Sequence, residues 1–160
     1  MSENAKAALE LYKQRIGKSD GYGEWFEVDQ DRINKFADAT LDHQFIHIDP
    51  ERSAKLSPYK TTIAHGFLTL SLIVYLQSTI KNPTPEAAKG VMMGVNYGLD
   101  KVRFPAPVPV NSKVRAERTL LEAELKAPNT IQLKQKVTVE IEGSDKPACV
   151  AESLTRMIYA

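Results

Sequence analysis

The segment comprising residues 65 to about 81 constrains the fold more than any other part of this chain. Apolar side chains occupy nearly every helical face of it: Phe67, Leu68, Leu70, Leu72, Ile73, Val74, Leu76 and Ile80. A helix that is apolar all round is expected to be buried on most sides. Its most apolar run, residues 66–76, is much shorter than the ~20 residues needed to span a bilayer. It therefore predicts a buried central helix and no membrane anchor.

The second half of the chain has the periodicity of strands. Residues 131–141 alternate between apolar and polar side chains, which is typical of a half-buried strand. Residues 114–125 alternate too, but the phase slips at Leu120–Leu121, as a β-bulge would cause. Two further strands are predicted, at 91–104 and 148–159. The last two breaks between strands, at 127–129 and 143–146, are short enough for hairpins, so an antiparallel meander is expected.

The first half has shorter patterns. An apolar stripe at 8–16 predicts a helix, and a second helical pattern begins after Asp29. Pro50 predicts the start of another helix, because its fixed φ suits a first helical turn. Residues 21–28 are interpreted as one short strand between the first two helices.

These patterns together predict an α+β fold, in which a long central helix is wrapped by a curved antiparallel β-sheet. We expect residues 1–160 to form a single domain, because domains most often contain roughly 100–150 residues. The 42% hydrophobic and 26% charged residues are close to ordinary globular usage, which argues against disorder.

Charge and cysteine content narrow the class of protein further. The formal net charge is +1, whereas a nucleic-acid-binding domain normally carries a basic surplus on one face, so no nucleic-acid partner is expected. Cys149 is the single cysteine and cannot form an intrachain disulfide. This suits a reducing compartment and predicts a cytoplasmic location. Because Cys149 falls within a predicted strand, we expect a buried structural thiol.

All three histidines lie within 23 residues of one another, in the segments 42–49 and 63–67. Such histidines often do no more than cap helices or bind backbone groups. Imidazole and carboxylate groups are also common metal ligands. The segments lack a compact ligand spacing such as His-Glu-x-x-His, and the only cysteine is remote, so no metal site is expected.

Asp42 and His47 are the strongest candidates for catalytic acid–base residues. They are five residues apart, a spacing that a turn can bring onto one centre. A carboxylate and an imidazole together can hold a water molecule, remove its proton and return a proton to carbon. Gly66 follows at the start of the apolar helix, where free N–H groups favour a developing negative charge such as that of an enolate or thioester oxygen.

Two motifs resemble those of the MaoC-like, (R)-specific enoyl-CoA hydratases, and in particular their nodulation-protein-N-like branch. That family has Asp-x-Asn-Pro-x-His-x-Asp followed by His-Gly-hydrophobic-Leu. Here residues 42–49 are Asp-His-Gln-Phe-Ile-His-Ile-Asp, and residues 64–68 are Ala-His-Gly-Phe-Leu. Residues 96–105 and the strands after them also resemble the family, so the similarity covers most of the chain.

The resemblance implies a hotdog fold packed as a homodimer. It implies that Asp42 and His47 activate water for syn addition to a trans-2-enoyl-CoA, giving an (R)-3-hydroxyacyl-CoA. Gly66 would polarise the thioester carbonyl through its N–H group. The substrate would be an acyl-CoA or acyl-carrier-protein thioester, with no metal or redox cofactor.

Further residues are predicted around this centre. The substrate-binding candidates are Gln44, Ala64, His65, Phe67 and Arg103. His65 is expected to orient the catalytic loop more than to carry a proton. Arg103 and Lys101 can meet the phosphates of coenzyme A, because arginine binds phosphate well, or they can be solvated strand charges. The other expected roles are structural: His43 faces outward or caps, Asp49 caps the helix at Pro50, and Thr61 and Thr62 line the loop before Gly66.

The chain departs from the family motif at two positions. Gln44 replaces asparagine but keeps an amide, and Phe45 replaces proline, so packing of Phe45 must stiffen the loop instead. Two alternatives stay open besides hydration. One is an acyl-CoA thioesterase with the same hotdog fold. The other, which the two departures favour, is a non-catalytic module that binds acyl thioesters.

Overall fold

The computed structural model describes residues 2–160, which form helices in the first half and long strands in the second. The helices are α1 (Glu3–Lys13), α2 (Gln30–Thr40), α3 (Phe45–Ile48), α4 (Pro50–Leu56), α5 (Gly66–Ser78) and a 3₁₀ helix at Pro85–Ala88. The strands are β1 (Ser19–Tyr22), β2 (Phe26–Val28), β3 (Val91–Arg103), β4 (Ser112–Ala127), β5 (Thr130–Ile141) and β6 (Cys149–Tyr159). Within this part of the chain, no helix is both long and apolar enough to cross a membrane.

The strands form one antiparallel sheet in the order β1-β4-β5-β6-β3, and β2 also pairs with β4. The predicted meander is confirmed for β4, β5 and β6. β3, for which the sequence predicted no hairpin to β4, lies beside β6 at the far edge. The proline-rich segment 104–111 crosses over instead of making a hairpin, and its backbone bonds with residues 62–64 and Pro147.

Local features of the strands mostly follow the sequence. The predicted bulge in β4 is confirmed by a register shift between Leu120 and Glu122. The single strand expected at 21–28 is wrong, since two short strands, β1 and β2, pair separately with β4. Gly21 has a φ of +86°, a conformation that side chains rarely adopt, and the chain bends after β1.

The main core lies between α5 and one face of the sheet. Leu68, Ile73 and Leu76 of α5 pack in one buried cluster with residues from β4, β5 and β6: Val114, Ala116, Val137, Val139, Cys149 and Ala151. Burial of a leucine or isoleucine side chain contributes about 1.5–3 kcal/mol. A central helix held by a curved antiparallel sheet is the hotdog arrangement, so the expected fold is confirmed.

A second core lies under α1, toward the other end of the strands. It joins Ala5 and Ala8 to Leu120, Ile131 and Leu133, together with Tyr159. Because Leu133 and Ile131 alternate in step with Val137 and Val139 along β5, both cores use the same face of the sheet. This leaves a gap between α5 and α1 over the middle of the strands.

The prediction that α5 is buried on most sides is wrong for the single chain. Phe67, Val74 and Tyr75 are 69%, 56% and 51% exposed, respectively. The edge strand β3 also exposes a row of large apolar side chains: Met92, Met93, Val95, Tyr97 and Leu99. Contiguous apolar surface of this kind marks an interaction site, and an edge strand offers unpaired backbone groups beside it.

Candidate active site

Asp42 lies immediately after α2, where the chain turns sharply. α2 is followed by its C-cap residue Leu41, whose φ of 64° is left-handed, so the chain leaves the helix direction just before Asp42. The carbonyl of Asp42 accepts a hydrogen bond from His65 Nε2 at 3.0 Å, and the Gln44 N–H points to its carboxylate at 3.4 Å. The Asp42 side chain is exposed. Its carboxylate therefore has a contact from the Gln44 backbone and stays open to solvent.

His47 lies on α3, a single helical turn that the sequence did not predict. Its ring is buried, and Nδ1 is 2.7 Å from the carbonyl oxygen of Ile63. Since a carbonyl only accepts, Nδ1 carries the proton and donates it. The other ring nitrogen, Nε2, is left with a free lone pair when the ring is neutral.

His65 supports this ring from the start of α5. The His47 and His65 rings stack with centroids 3.8 Å apart and planes 23° from parallel. Phe36 of α2 packs on His65 at 5.0 Å. His65 Nε2 donates to Asp42, and its Nδ1 is buried without a partner in residues 2–160. Each of the two histidines thus donates one ring nitrogen's hydrogen bond to a backbone carbonyl and keeps its other ring nitrogen free.

The donor atoms of Asp42, His47 and His65 all lie within 4.8 Å of one another. His47 Nδ1 and His65 Nε2 already bond to backbone carbonyls, so each imidazole keeps one nitrogen for a further partner. A carboxylate and an imidazole in such a group can hold a water molecule between them.

The electrostatic setting keeps His47 neutral near pH 7. Burial lowers the pKa of His47 below its ordinary value, and the neighbouring His65 lowers it further. The hydrogen bond to Ile63 and the charge of Asp42 oppose this shift without reversing it. His47 is therefore available as a proton acceptor.

Gly66 begins α5 directly after His65. The carbonyl of His65 accepts from the N–H groups of Leu68 and Thr69, whereas those of Gly66 and Phe67 meet no acceptor in the described part of the chain. A Cβ at Gly66 would come within 3.1 Å of the Phe104 ring. Glycine thus lets Phe104 lie against the helix start, with two N–H groups free beside the histidines.

Gln30 is a site residue that the sequence analysis missed. Its Nε2 donates to the carbonyl of His47 at 2.7 Å, and its Oε1 accepts from the buried Thr62 hydroxyl at 2.6 Å. The same Nε2 also reaches Asn34 at 2.9 Å. Gln30 therefore ties α3 to the loop before α5. Its separation from Thr62 by 32 residues left no local signal to find it.

The predicted substrate-binding residues lie at different distances from this centre. His65 is part of it, and Ala64 is buried next to it, with its N–H bonded to Val108. Gln44 is exposed at the start of α3, and Phe67 is exposed with its ring against Phe104 at 6.1 Å. The last candidate, Arg103, is an exposed residue at the end of β3 whose guanidinium reaches only its neighbour's carbonyl.

The residues with expected structural roles mostly behave as predicted. Asp49 caps α4 by accepting from the Arg52 N–H at 2.9 Å, which is confirmed. His43 faces outward and contacts Asp38 at 2.9 Å. Cys149 is fully buried in β6, and burial raises the pKa of its thiol to about 11. Lys101 lies 4.0 Å from Glu152, as a surface strand charge would.

Phe45 stiffens the loop by packing, as expected from the loss of the motif's proline. The Arg52 guanidinium lies 4.4 Å from the centre of the Phe45 ring. The Phe45 carbonyl accepts from the fully buried Ser53 hydroxyl at 3.0 Å. α3 is therefore anchored to α4 by these two contacts.

A hotdog fold whose central helix begins beside an aspartate–histidine pair is the arrangement that the sequence resemblance implied. Comparison with known proteins gives the same class of protein. Residues 12–142 match the family model described as "MaoC like domain". The chain belongs to the MaoC-like dehydratase family, which confirms the resemblance found in the sequence.

Individual relatives refine this assignment. The chain is 51% identical over 145 residues to 3-hydroxyacyl-thioester dehydratase Z of Mycobacterium tuberculosis, covering 91% of this chain and 89% of that protein. It is 47% identical over 141 residues to nodulation protein N of Rhizobium leguminosarum, covering 88% and 85%. Among solved structures, the (R)-hydratase from A. caviae involved in PHA biosynthesis has a TM-score of 0.67 at 21% identity, with coverages of 88% and 94%. That last likeness supports the fold alone.

Proposed function

We propose that this protein is an (R)-specific enoyl-CoA hydratase/dehydratase that interconverts trans-2-enoyl and (R)-3-hydroxyacyl thioesters. The observation that carries the proposal is the cluster of Asp42, His47 and His65, whose side-chain donor atoms lie within 4.8 Å of one another, with one His47 nitrogen free and the carboxylate exposed. Membership of a family with thioester dehydratases among the relatives supports the reaction class.

In the hydration direction, Asp42 and His47 each accept a hydrogen bond from one water molecule. The water oxygen bonds to C3 of the enoyl group as His47 Nε2 takes its proton. The C2–C3 π electrons move toward the thioester carbonyl, and the imidazolium then returns the proton to C2. Asp42 stabilises the transient imidazolium. Because one group takes and returns the proton, hydrogen and hydroxyl add to the same face.

The thioester carbonyl is proposed to bind the free N–H groups at the start of α5. Negative charge develops on that oxygen as the enolate forms, and N–H donors at a helix N-terminus stabilise it. The Gly66 N–H is the principal donor, and Phe104 holds the position of the helix start. No metal or redox cofactor is needed for this electron flow.

We also propose that the active form is a homodimer. Val74 of α5 and Tyr97 and Leu99 of β3 are exposed apolar residues that line one cleft, and β3 has an unpaired edge. A second copy would cover this surface by edge-to-edge pairing. Sedimentation equilibrium is expected to give twice the chain mass, and a monomer at micromolar concentration would contradict the proposal.

We propose that the acyl group is carried by coenzyme A, with an acyl-carrier protein as the alternative. We also propose that the protein acts in the cytoplasm. Arg103 is a candidate for the coenzyme's phosphates because it is exposed and directly precedes Phe104, which contacts Gly66. Comparing kcat/KM for the same enoyl group on the two carriers decides between them, and Arg103→Ala should raise KM for the coenzyme A thioester.

The test of the proposed reaction is loss of enoyl absorbance on incubation with crotonyl-CoA. We expect (R)-3-hydroxybutyryl-CoA as product, by chiral chromatography. A thiol-trapping dye run in parallel should remain colourless. Release of free coenzyme A without hydration would identify a thioesterase instead. Binding with no turnover on any enoyl chain length would identify a non-catalytic module.

A further inference from the structure

Two adjoining clefts run along α5 away from the candidate active site. The proximal cleft, of about 380 Å³, is lined by apolar residues including Leu70, Ile73, Leu99 and Leu154. Leu70 lies one helical turn beyond Gly66, on the same side of the helix. The distal cleft, of about 480 Å³, lies over the gap between α5 and α1. Both are lined by Val74, Gln77, Asn96 and Thr155, so one continues into the other.

The two clefts differ in charge. No charged residue lines the proximal cleft, whereas Arg15, Asp20 and Arg118 line the distal one. Asp20 has a side chain only 6% exposed, and its two oxygens are taken by Arg118 Nε at 2.8 Å and by Arg15 Nη2 at 3.0 Å. Two guanidinium groups thus face one carboxylate, and the wall of the distal cleft keeps one positive charge in excess.

The distal cleft also has unused hydrogen-bond donors. The terminal Nη groups of Arg118 meet no acceptor in residues 2–160, and Arg15 Nε is buried without a partner. The side-chain amides of Gln77, Asn96 and Gln135, which line the same cleft, make no hydrogen bond within the described chain. Arg15 Nε is the buried atom of this set, and buried polar groups are normally paired. The other donors line the cleft and can bind a polar ligand there.

We propose that the distal cleft binds a carboxylate at the far end of the acyl chain. The preferred substrates are then ω-carboxyacyl thioesters. This inference rests on the proposed function, which places the thioester at Gly66. The acyl chain runs along the apolar proximal cleft, and its terminal carboxylate meets the free side of the Arg118 guanidinium and the amide of Gln135.

Length and energetics support this assignment. α5 rises roughly 16 Å between Gly66 and Gln77, at about 1.5 Å per residue, so a chain of intermediate length reaches the distal cleft. A methyl end placed there would remove Arg118 from water with no hydrogen bond in return. A carboxylate would instead accept two parallel bonds from the planar guanidinium.

The test compares pairs of saturated acyl-CoA thioesters of equal carbon number that end in a methyl group or in a carboxylate. Saturated chains cannot be hydrated, so calorimetric Kd values report the cleft independently of turnover. At the best chain length, we expect the carboxylate-ended probe to bind the wild type about tenfold more tightly, or better. Equal binding, or preference for the methyl end at every length, would overturn the inference.

Two variants on opposite faces of β4 show whether the preference for the carboxylate-ended probe depends on the distal cleft. Arg118→Met should abolish the preference for the carboxylate-ended probe. Arg115→Met is the matched control: it removes an ion pair of the same 2.8 Å length, to Glu140, yet lies outside the cleft and should keep the preference. If Arg118→Met does not fold, Gln135→Leu should still weaken the preference severalfold. A preference unchanged in the variants that fold would overturn the inference.

Hydration of crotonyl-CoA by the same wild-type preparation separates this inference from the proposed function. Hydration without a preference for the carboxylate end defeats the inference alone. Preference for the carboxylate end without any hydration defeats the proposed reaction, while supporting the distal cleft as a carboxylate site.

Discussion

The polar side chains at the two ends of α5 are hydrogen-bonded in opposite ways. At its start, His47 and His65 each bond one ring nitrogen to a backbone carbonyl and keep the other free. Beyond its other end, Arg118 and Arg15 share the two oxygens of Asp20. The first arrangement keeps His47 neutral and able to accept a proton, and the second holds a fixed positive charge. We propose from this comparison that catalysis depends on the start of α5 and selection of the acyl chain on the far end.

The largest expected effect is loss of either member of the acid–base pair. Asp42→Ala and His47→Ala should each reduce crotonyl-CoA hydration by about a hundredfold to ten-thousandfold, because proton transfer loses its positioned group. Circular dichroism should show an intact fold. His43→Ala is the control, since His43 contacts only Asp38 on the surface and activity should persist. Undiminished activity in both pair variants would refute the mechanism.

A smaller but still large effect is expected at Gly66. In Gly66→Ala, the new Cβ meets the Phe104 ring at 3.1 Å and shifts the N–H donors, with a loss of kcat of up to about a hundredfold. Adding Phe104→Leu should restore part of the activity by making room. If the double variant is no better than Gly66→Ala, the steric explanation is wrong.

Substitution of Gln30 tests whether His47 must be held in place through its backbone carbonyl. Gln30→Leu leaves the His47 carbonyl and the Thr62 hydroxyl unpaired, which should cost about 1–3 kcal/mol in the free energy of unfolding. We expect kcat to fall more than KM rises. Asn34→Ala is the matched control, because it breaks only the exposed bond of Gln30. Equal effects of the two substitutions would argue against a positioning role.

The smallest expected effect is on the pH dependence of kcat/KM and of stability. Because the pKa of His47 is lowered, the neutral base persists below the ordinary value near 6.5, and kcat/KM should decline only at lower pH. As pH falls below about 6.5, the unfolded chain binds the proton first, so stability contributed by neutral His47 is lost on acidification. His47→Gln should lack this part of the stability change. An acid limb of kcat/KM above pH 6.5 would contradict the assignment.

Local signals were sufficient for most of the fold. Alternation along β5 marked its buried face, and the slip at Leu120–Leu121 marked the bulge in β4, because both depend on neighbouring side chains. The position of β3 beside β6 was missed, since strand order depends on contacts between distant segments. The exposed side of α5 was also missed, because periodicity measures apolar character and not what covers it.

The site was predictable to the extent that its residues are close in sequence. Asp42, His47 and Gly66 were found because a motif carries them. Gln30 was missed, as were Asp20 and Arg118, which are 98 residues apart and meet only after the sheet forms. A polar residue on a strand gives no sign in the sequence of whether its partner is solvent, another residue or a ligand.

The central claim is that His47, assisted by Asp42, takes a proton from one water molecule and returns it to C2 on the same face of the substrate that the hydroxyl joins. Hydration of crotonyl-CoA in D₂O, followed by NMR of the product, tests this directly. The account predicts (R)-3-hydroxybutyryl-CoA with one deuterium at C2, added on the same face as the hydroxyl. Deuterium on the opposite face, or an (S) product, would contradict it.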